Sequence, residues 1–136
     1  MLNRLLIFLF LILTTIVVAQ PIRSKDKYGR VVAYLDGSTF RDSVHQPLYF
    51  FDGQTIYKKN KSGQKLFFFD GKFIRVKDKY GKKLYYFNTN IINDGGPSGD
   101  ILYYIGNGYI KKTKYGYPIY FFNGNLPKWV FICLII

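Results

Sequence analysis

From residue 26 onward the apolar residues fall in six blocks of four, each entered from a polar stretch that usually contains Lys-Tyr-Gly or a stand-in. The blocks are Val32-Ala33-Tyr34-Leu35, Leu48-Tyr49-Phe50-Phe51, Leu66-Phe67-Phe68-Phe69, Leu84-Tyr85-Tyr86-Phe87, Leu102-Tyr103-Tyr104-Ile105 and Ile119-Tyr120-Phe121-Phe122. The first column is always aliphatic, the next two are aromatic except at Ala33, and the fourth is Phe, Leu or Ile. Enrichment in aromatic and β-branched residues between turn formers predicts a short strand for each block. Asp36-Gly37, Asp52-Gly53, Asp70-Gly71 and Asn123-Gly124 follow their blocks directly. Such pairs favour two-residue hairpin turns, so each block is expected to fold back on the strand after it. With Asp70-Gly71 as the turn, Phe69 would face Lys72 and Phe68 would face Phe73. Phe67, Phe69 and Ile74 then share one face, and Leu66, Phe68 and Phe73 the other.

The pattern predicts an all-β protein of six tandem β-hairpin repeats of about 17 residues. Both hairpin faces are apolar, and a flat sheet would leave one of them in water. The array is therefore expected to curl into a closed or nearly closed barrel or flower, which also removes the sheet edges. A trefoil has the same hairpin count, but the period shows no threefold grouping. The fourth copy departs from the pattern, with Asn88-Thr89 in the turn and an acidic, Gly-rich stretch, Asn93-Asp94-Gly95-Gly96-Pro97-Ser98-Gly99-Asp100. That stretch reads as a loop and a candidate seam between two groups of three hairpins. It lacks the alternating oxygen ligands and closing Glu of a calcium loop.

At the N-terminus an Arg4 head precedes an apolar run from Leu5 to Leu13, and Val17 and Ala19 suit a signal-peptidase site. Residues 1–19 read as a signal peptide, 20–128 as the repeat domain and 129–136 as an apolar C-terminal tail. A retained anchor is the alternative, and its apolar run is short for the ~20 residues a spanning helix needs. Cleavage leaves 117 residues with 19 basic and 8 acidic side chains, a net charge of about +11. Such a chain is expected outside the cell, without a stable transmembrane span, and with anionic partners. All acidic residues are Asp, and Ala occurs only at 19 and 33, so two strong helix formers are nearly missing. AT-rich coding accounts for part of the Lys, Asn, Ile, Phe and Tyr excess, but not for the missing Glu, whose codons are also AT-rich. Cys133, the single cysteine, allows no internal disulfide and lies in Trp129-Val130-Phe131-Ile132-Cys133-Leu134-Ile135-Ile136, a run too short to span a bilayer. The tail reads as a terminal strand or an imperfect chain end, with an intermolecular disulfide or an incomplete lipid-anchor signal as alternatives.

Charge collects in the second strands and the stretches after them, away from the Asp-Gly turns. Lys58, Lys59, Lys61, Arg75, Lys77, Lys79, Lys111, Lys112 and Lys114 are the candidate polyanion contacts, and Tyr28, Tyr80 and Tyr115 are candidate stacking platforms beside them. Successive hairpins would place basic loops roughly 10 Å apart, near the Debye length at physiological salt, so the loops act together. The competing reading is a solvated rim whose lysines keep an aromatic β-protein soluble, with each Tyr packed over its own hairpin. Asn60-Lys61-Ser62 is an N-glycosylation acceptor sequence. His45, beside Pro47, reads as a linker residue, and most aspartates are explained by turns. No catalytic residue, metal ligand or cofactor is expected.

The Tyr-Tyr-Phe block before a turn resembles the choline-binding hairpin repeats of bacterial surface proteins. The run Gly29-Arg30-Val31-Val32-Ala33-Tyr34-Leu35-Asp36-Gly37 looks like repeats of small bacterial beta-flower domains. The second likeness implies a radial hairpin fold and no activity. Choline cages are built largely from Trp, and the single Trp129 lies outside the repeats, so that binding function is not carried over. The expected function is a secreted, non-catalytic binding or adhesion module whose basic hairpin ends engage an anionic polysaccharide or anionic surface. The alternatives are a self-associating coat or matrix protein, and a lectin-like protein with a sugar site in its aromatic centre.

Overall fold

The computed structural model describes residues 18–136; apart from Val18 and Ala19, the expected signal peptide lies outside the described residues. Twelve strands follow: β1 (Gln20–Ser24), β2 (Val31–Asp36), β3 (Thr39–Asp42), β4 (Pro47–Phe51), β5 (Thr55–Lys58), β6 (Lys65–Phe69), β7 (Phe73–Val76), β8 (Lys83–Asn88), β9 (Ile91–Asp94), β10 (Ile101–Gly106), β11 (Tyr109–Lys111) and β12 (Pro118–Phe122). Each pairs antiparallel with its neighbours in chain order, and β1 pairs with β12, so the sheet closes into a barrel. Closure leaves no edge to template further pairing. Pairing runs unbroken through β8, β9 and β10, so the acidic stretch is not a seam.

Five petals are covalent hairpins, and the sixth is not. The last block, in β12, pairs with β1 across the chain ends, with Ile22 opposite Phe122 and Ser24 opposite Tyr120. Asn123-Gly124 therefore forms no hairpin turn and leads instead into a helix, α1 (Lys128–Ile135). The register within petals is shifted by one residue from the expectation: three petals close with two-residue turns, at 37–38, 89–90 and 107–108, and the other two leave a longer gap between ladder partners. Phe69 faces Ile74 and Phe68 faces Arg75, which leaves four residues, 70–73, in the turn. The Asp70 carboxylate accepts from the Lys72 and Phe73 amides at 2.9 and 2.8 Å, and Asp52 accepts likewise from Gln54 and Thr55. An Asp side chain that bonds the backbone two and three residues on builds its own turn, so the Asp matters here for its oxygen as well as its tolerance of positive φ.

The face assignment holds under the shifted register. The second and fourth columns point inward with one aliphatic or aromatic residue from the returning strand. Ile22, Ile56, Ile74, Ile92 and Ile110 are fully buried and Phe40 nearly so, forming one ring with the fourth-column residues Phe69, Phe87 and Phe122. The third column stays half-buried on the outer wall, so closure covers one aromatic face and not both. The outer face is shielded locally: Phe73 packs on Tyr86 at 4.9 Å, with the Lys83 ammonium 4.3 Å from its ring centre.

The apolar tail is neither a strand nor a loose end. Trp129, Val130, Phe131, Ile132 and Cys133 are all buried, and α1 belongs to the same core as the inward ring. Trp129 stacks on Phe51 at 5.1 Å and Phe131 meets Phe122 edge-on at 5.6 Å. Twelve strands about 4.8 Å apart enclose a bore roughly 20 Å wide, more than inward side chains of this size can fill. A segment inside that bore finds neither water nor a free strand, so its backbone must bond to itself, which makes it helical despite its β-rich composition. Trp129→Ala should destabilise the protein by about 3–5 kcal/mol, measured by denaturant unfolding; a loss under about 1 kcal/mol would mean that α1 does not support the barrel.

Partial burial raises the carboxyls of Asp52 and Asp70, but turn amides outweigh it and hold both below the ordinary carboxylate range, with Tyr57 assisting at Asp52 and the Arg75 charge at Asp70. A depressed carboxyl stabilises the fold above its unfolded-state range and stops doing so as the pH falls through its folded value. Asp70→Asn should therefore lose less stability than the parent between neutral pH and about pH 2, read as the midpoint of urea unfolding across that range. Parallel pH profiles would refute this role.

Candidate functional site

In an up-and-down barrel the hairpin turns gather at one end and the connections between petals at the other. The connections form a rim of six loops: L1 (25–30), L2 (43–46), L3 (59–64), L4 (77–82), L5 (95–100) and L6 (112–117). The backbone of L1, L3, L4 and L5 repeats. The first residue of L1, L3 and L4, Lys25, Lys59 and Lys77, adopts positive φ near 65°, a place Gly95 takes in L5. Its amide donates to the first-column carbonyl of the same petal, at Ile119, Leu48, Leu66 and Leu84 respectively. The side-chain oxygen of the next residue, Asp26, Asn60 or Asp78, accepts from the backbone two residues on.

The glycine of the Lys-Tyr-Gly signature is required by contact. A Cβ on Gly81 would overlap the Val76 carbonyl, and Gly29, Gly63 and Gly99 stand equally close to the ends of their own strands. A wall side chain then holds the loop from outside: the guanidinium of Arg23 donates to the Gly29 carbonyl at 3.1 Å, Arg75 to Gly81 at 3.4 Å, and the Asn93 amide to Gly99 at 3.0 Å. Arg75 is thus committed to the wall, where it also covers Phe73 at 5.5 Å. Lys111 lies on the wall as well, 4.6 Å over the Tyr109 ring.

The remaining candidates reach the rim or its flank. Lys58, Lys59, Lys77, Lys79, Lys112 and Lys114 are exposed there. Lys58 and Lys59 border a cleft of about 300 Å³ with Leu48 and Gln64. Lys61 lines a groove of about 630 Å³ with Phe50, Asp52 and Tyr57, on the outside of the β4–β5 petal. Asn60 is exposed in L3. The tyrosines do not pack over their hairpins: Tyr28, Tyr80 and Tyr115 are 85, 84 and 91 % exposed. Each has the preceding lysine within 5.0 to 5.5 Å of its ring centre, at Lys27, Lys79 and Lys114.

The rim is not a uniform ring. L1 and L6 are neighbours through the β1–β12 pairing, and L3 and L4 are neighbours across the β6–β7 petal, so the basic loops form two arcs. Between the arcs lie the acidic L5 on one side and the uncharged L2 on the other, where His45 stacks on Tyr34 at 4.1 Å. Nor are the aspartates gathered at the turn end as expected. Asp26, Asp42, Asp78, Asp94 and Asp100 are at the rim, because Asx geometry shapes loops at both ends of the barrel.

Four rim residues were not singled out from the sequence: Lys25, Lys27, Arg30 and Tyr117. The signal was present. Ile22-Arg23-Ser24-Lys25-Asp26-Lys27-Tyr28-Gly29 matches Ile74-Arg75-Val76-Lys77-Asp78-Lys79-Tyr80-Gly81 at seven of eight positions, which marks β1 and L1 as the second half of a petal. Tyr117, 94 % exposed, stands where other copies carry Arg30, Gln64, Lys82 or Asp100.

Inside the barrel, burial raises the Tyr49 hydroxyl, with the nearby Cys133 thiol adding to it, and burial pushes the Cys133 thiol far above its ordinary value. A buried protonated thiol is a poor nucleophile, so Cys133 is closed to an intermolecular disulfide in the folded protein. It should react with an aromatic disulfide reagent at the rate of unfolding in native buffer and at once in denaturant. Rapid labelling of the native protein would show that α1 leaves the barrel readily.

Among the described residues there is no group of three or more His, Cys, Asp or Glu placed to hold a metal, and no helix is long and apolar enough to cross a membrane. A family model described as 6-fold beta flower protein matches residues 22–135, and the chain belongs to that family. The match includes all of α1, so the helix is part of the family's unit. No curated protein and no solved structure matches the chain.

Proposed function

We propose that this six-fold beta flower protein is a secreted, non-catalytic binding or adhesion module whose loop rim engages an anionic polymer or surface. The observation that carries the reading is the pairing, at one end of the barrel, of exposed tyrosines with neighbouring lysines in L1, L4 and L6. An exposed Tyr contributes little to a fold and costs solubility, whereas beside a cation it offers stacking area and charge to one ligand. The braced backbone of L1 and L4 adds to this, because side chains on a fixed backbone lose less entropy on binding. The helix α1 packed into the bore counts against the central sugar site considered from sequence.

The opposite end supplies the control, because Lys72 and Lys128 are exposed near the turns and carry the same charge. Lys79→Glu with Lys114→Glu should weaken retention on a sulfated-polysaccharide column by about tenfold or more and flatten its salt dependence. Lys72→Glu with Lys128→Glu, an equal change of net charge, should alter both far less. Equal losses from the two pairs, or elution of the parent protein at the same salt from a charge-matched cation exchanger, would refute an organised site. Self-association persisting in high salt would instead move the protein to a structural coat or matrix role, because apolar contacts are not screened.

A further inference from the structure

Closure places the first and last rim loops side by side, and the result differs from every other junction. Three of the four most exposed tyrosines, Tyr28, Tyr115 and Tyr117, lie on L1 and L6, with Lys25, Lys27, Arg30, Lys112 and Lys114 around them. Between these loops is a cleft of about 530 Å³ lined by Ser24, Lys25, Asp26, Tyr117, Pro118 and Ile119. Its floor is fixed, since the Lys25 amide donates to the Ile119 carbonyl at 3.0 Å across the junction. One Asp26 oxygen is held by the Tyr28 amide at 2.8 Å, and a carboxylate has a second oxygen free to accept.

Resting on the polyanion reading above, we infer that the L1–L6 cleft is the principal subsite, and that it takes one ring of an anionic polysaccharide. A Tyr face matches the apolar face of a pyranose, and the surrounding ammonium groups match sulfate or carboxylate substituents. Asp26 decides between ligand classes. A carboxylate in the wall repels every anionic group alike, so what meets it has to be a donor, and sugar hydroxyls, which polysaccharides carry beside their charges, donate to it. The subsite exists only in the closed barrel, because its two loops lie at opposite ends of the chain.

The test is titration of the parent protein and of Tyr117→Ala, Tyr117→Phe and Tyr80→Ala with a labelled sulfated hexasaccharide, a single-stranded oligonucleotide of equal charge, and vesicles of anionic lipid. At 94 and 84 % exposure, both tyrosines can be truncated without loss of core. Tyr117→Ala should weaken hexasaccharide binding roughly fivefold or more with the salt slope unchanged, Tyr117→Phe should restore it, and Tyr80→Ala should cost less than about twofold. If Tyr117→Ala binds within about twofold of the parent while the lysine reversals still weaken binding, the subsite is wrong and the polyanion reading stands. If the oligonucleotide or the vesicles bind as tightly as the hexasaccharide, the saccharide assignment is overturned. If none of the three binds the parent protein, the polyanion reading itself falls.

Discussion

The bore of a twelve-stranded barrel has to be filled, and nearly everything else in this structure follows from how that is done. Smaller barrels can close on their own side chains, but here the inward Ile and Phe rings leave a central space of helical width. The chain fills it with its own final eight-residue helix, about two turns. Because α1 is surrounded by core on all sides, it is apolar all round past Lys128, with Trp129 on the β4–β5 petal and Phe131 on the β12–β1 petal. The same segment that looks unsuited to a solvated surface is the part buried at the centre.

Filling the centre from one end fixes the polarity of the barrel. The chain leaves β12 at the turn end and enters through Leu126 and Pro127, so α1 starts beside Phe51 and the Asp70 turn and runs toward the rim. The turn end is thereby occupied by the crossing chain, and the rim carries the long loops. L1 and L4 are braced for reasons independent of any ligand: a glycine pressed against a strand-end carbonyl, a left-handed first residue, an Asx bond and a wall side chain holding the glycine carbonyl, and L3 and L5 share most of these. With the backbone thus repeated, variation falls on the exposed side chains, and that variation divides the rim into two basic arcs separated by L2 and L5.

The outer wall is handled differently from the core. Its third-column aromatics pair across strands, as Phe50 does with Tyr57 at 6.4 Å, and cationic side chains lie over Phe73 and Tyr109. Much of the positive charge on the wall therefore has work to do in solvating an aromatic sheet, as Arg75 and Lys111 illustrate. This separates them from the rim lysines, although all of them look alike as charges in a repeat.

The sequence by itself determined the strands, the hairpin unit, the faces and the closure, because each depends on local patterning and on the need to hide an apolar surface. Phe67, Phe69 and Ile74 could be placed on one face from their spacing alone, since strand periodicity is strict. The rim charge was legible for the same reason, down to Lys79 beside Tyr80. Register was not, because neighbouring turn-forming pairs compete: the central pair sits one residue later than the Asp-Gly signal suggests, as Gly37-Ser38 in place of Asp36-Gly37. Only the tertiary structure decided that Trp129 to Cys133 form a buried helix, that Arg75 braces a loop, and that β1 completes the petal begun by β12. Those facts depend on what surrounds a segment, and a strand-like sequence becomes a helix when the only polar partners within reach are its own.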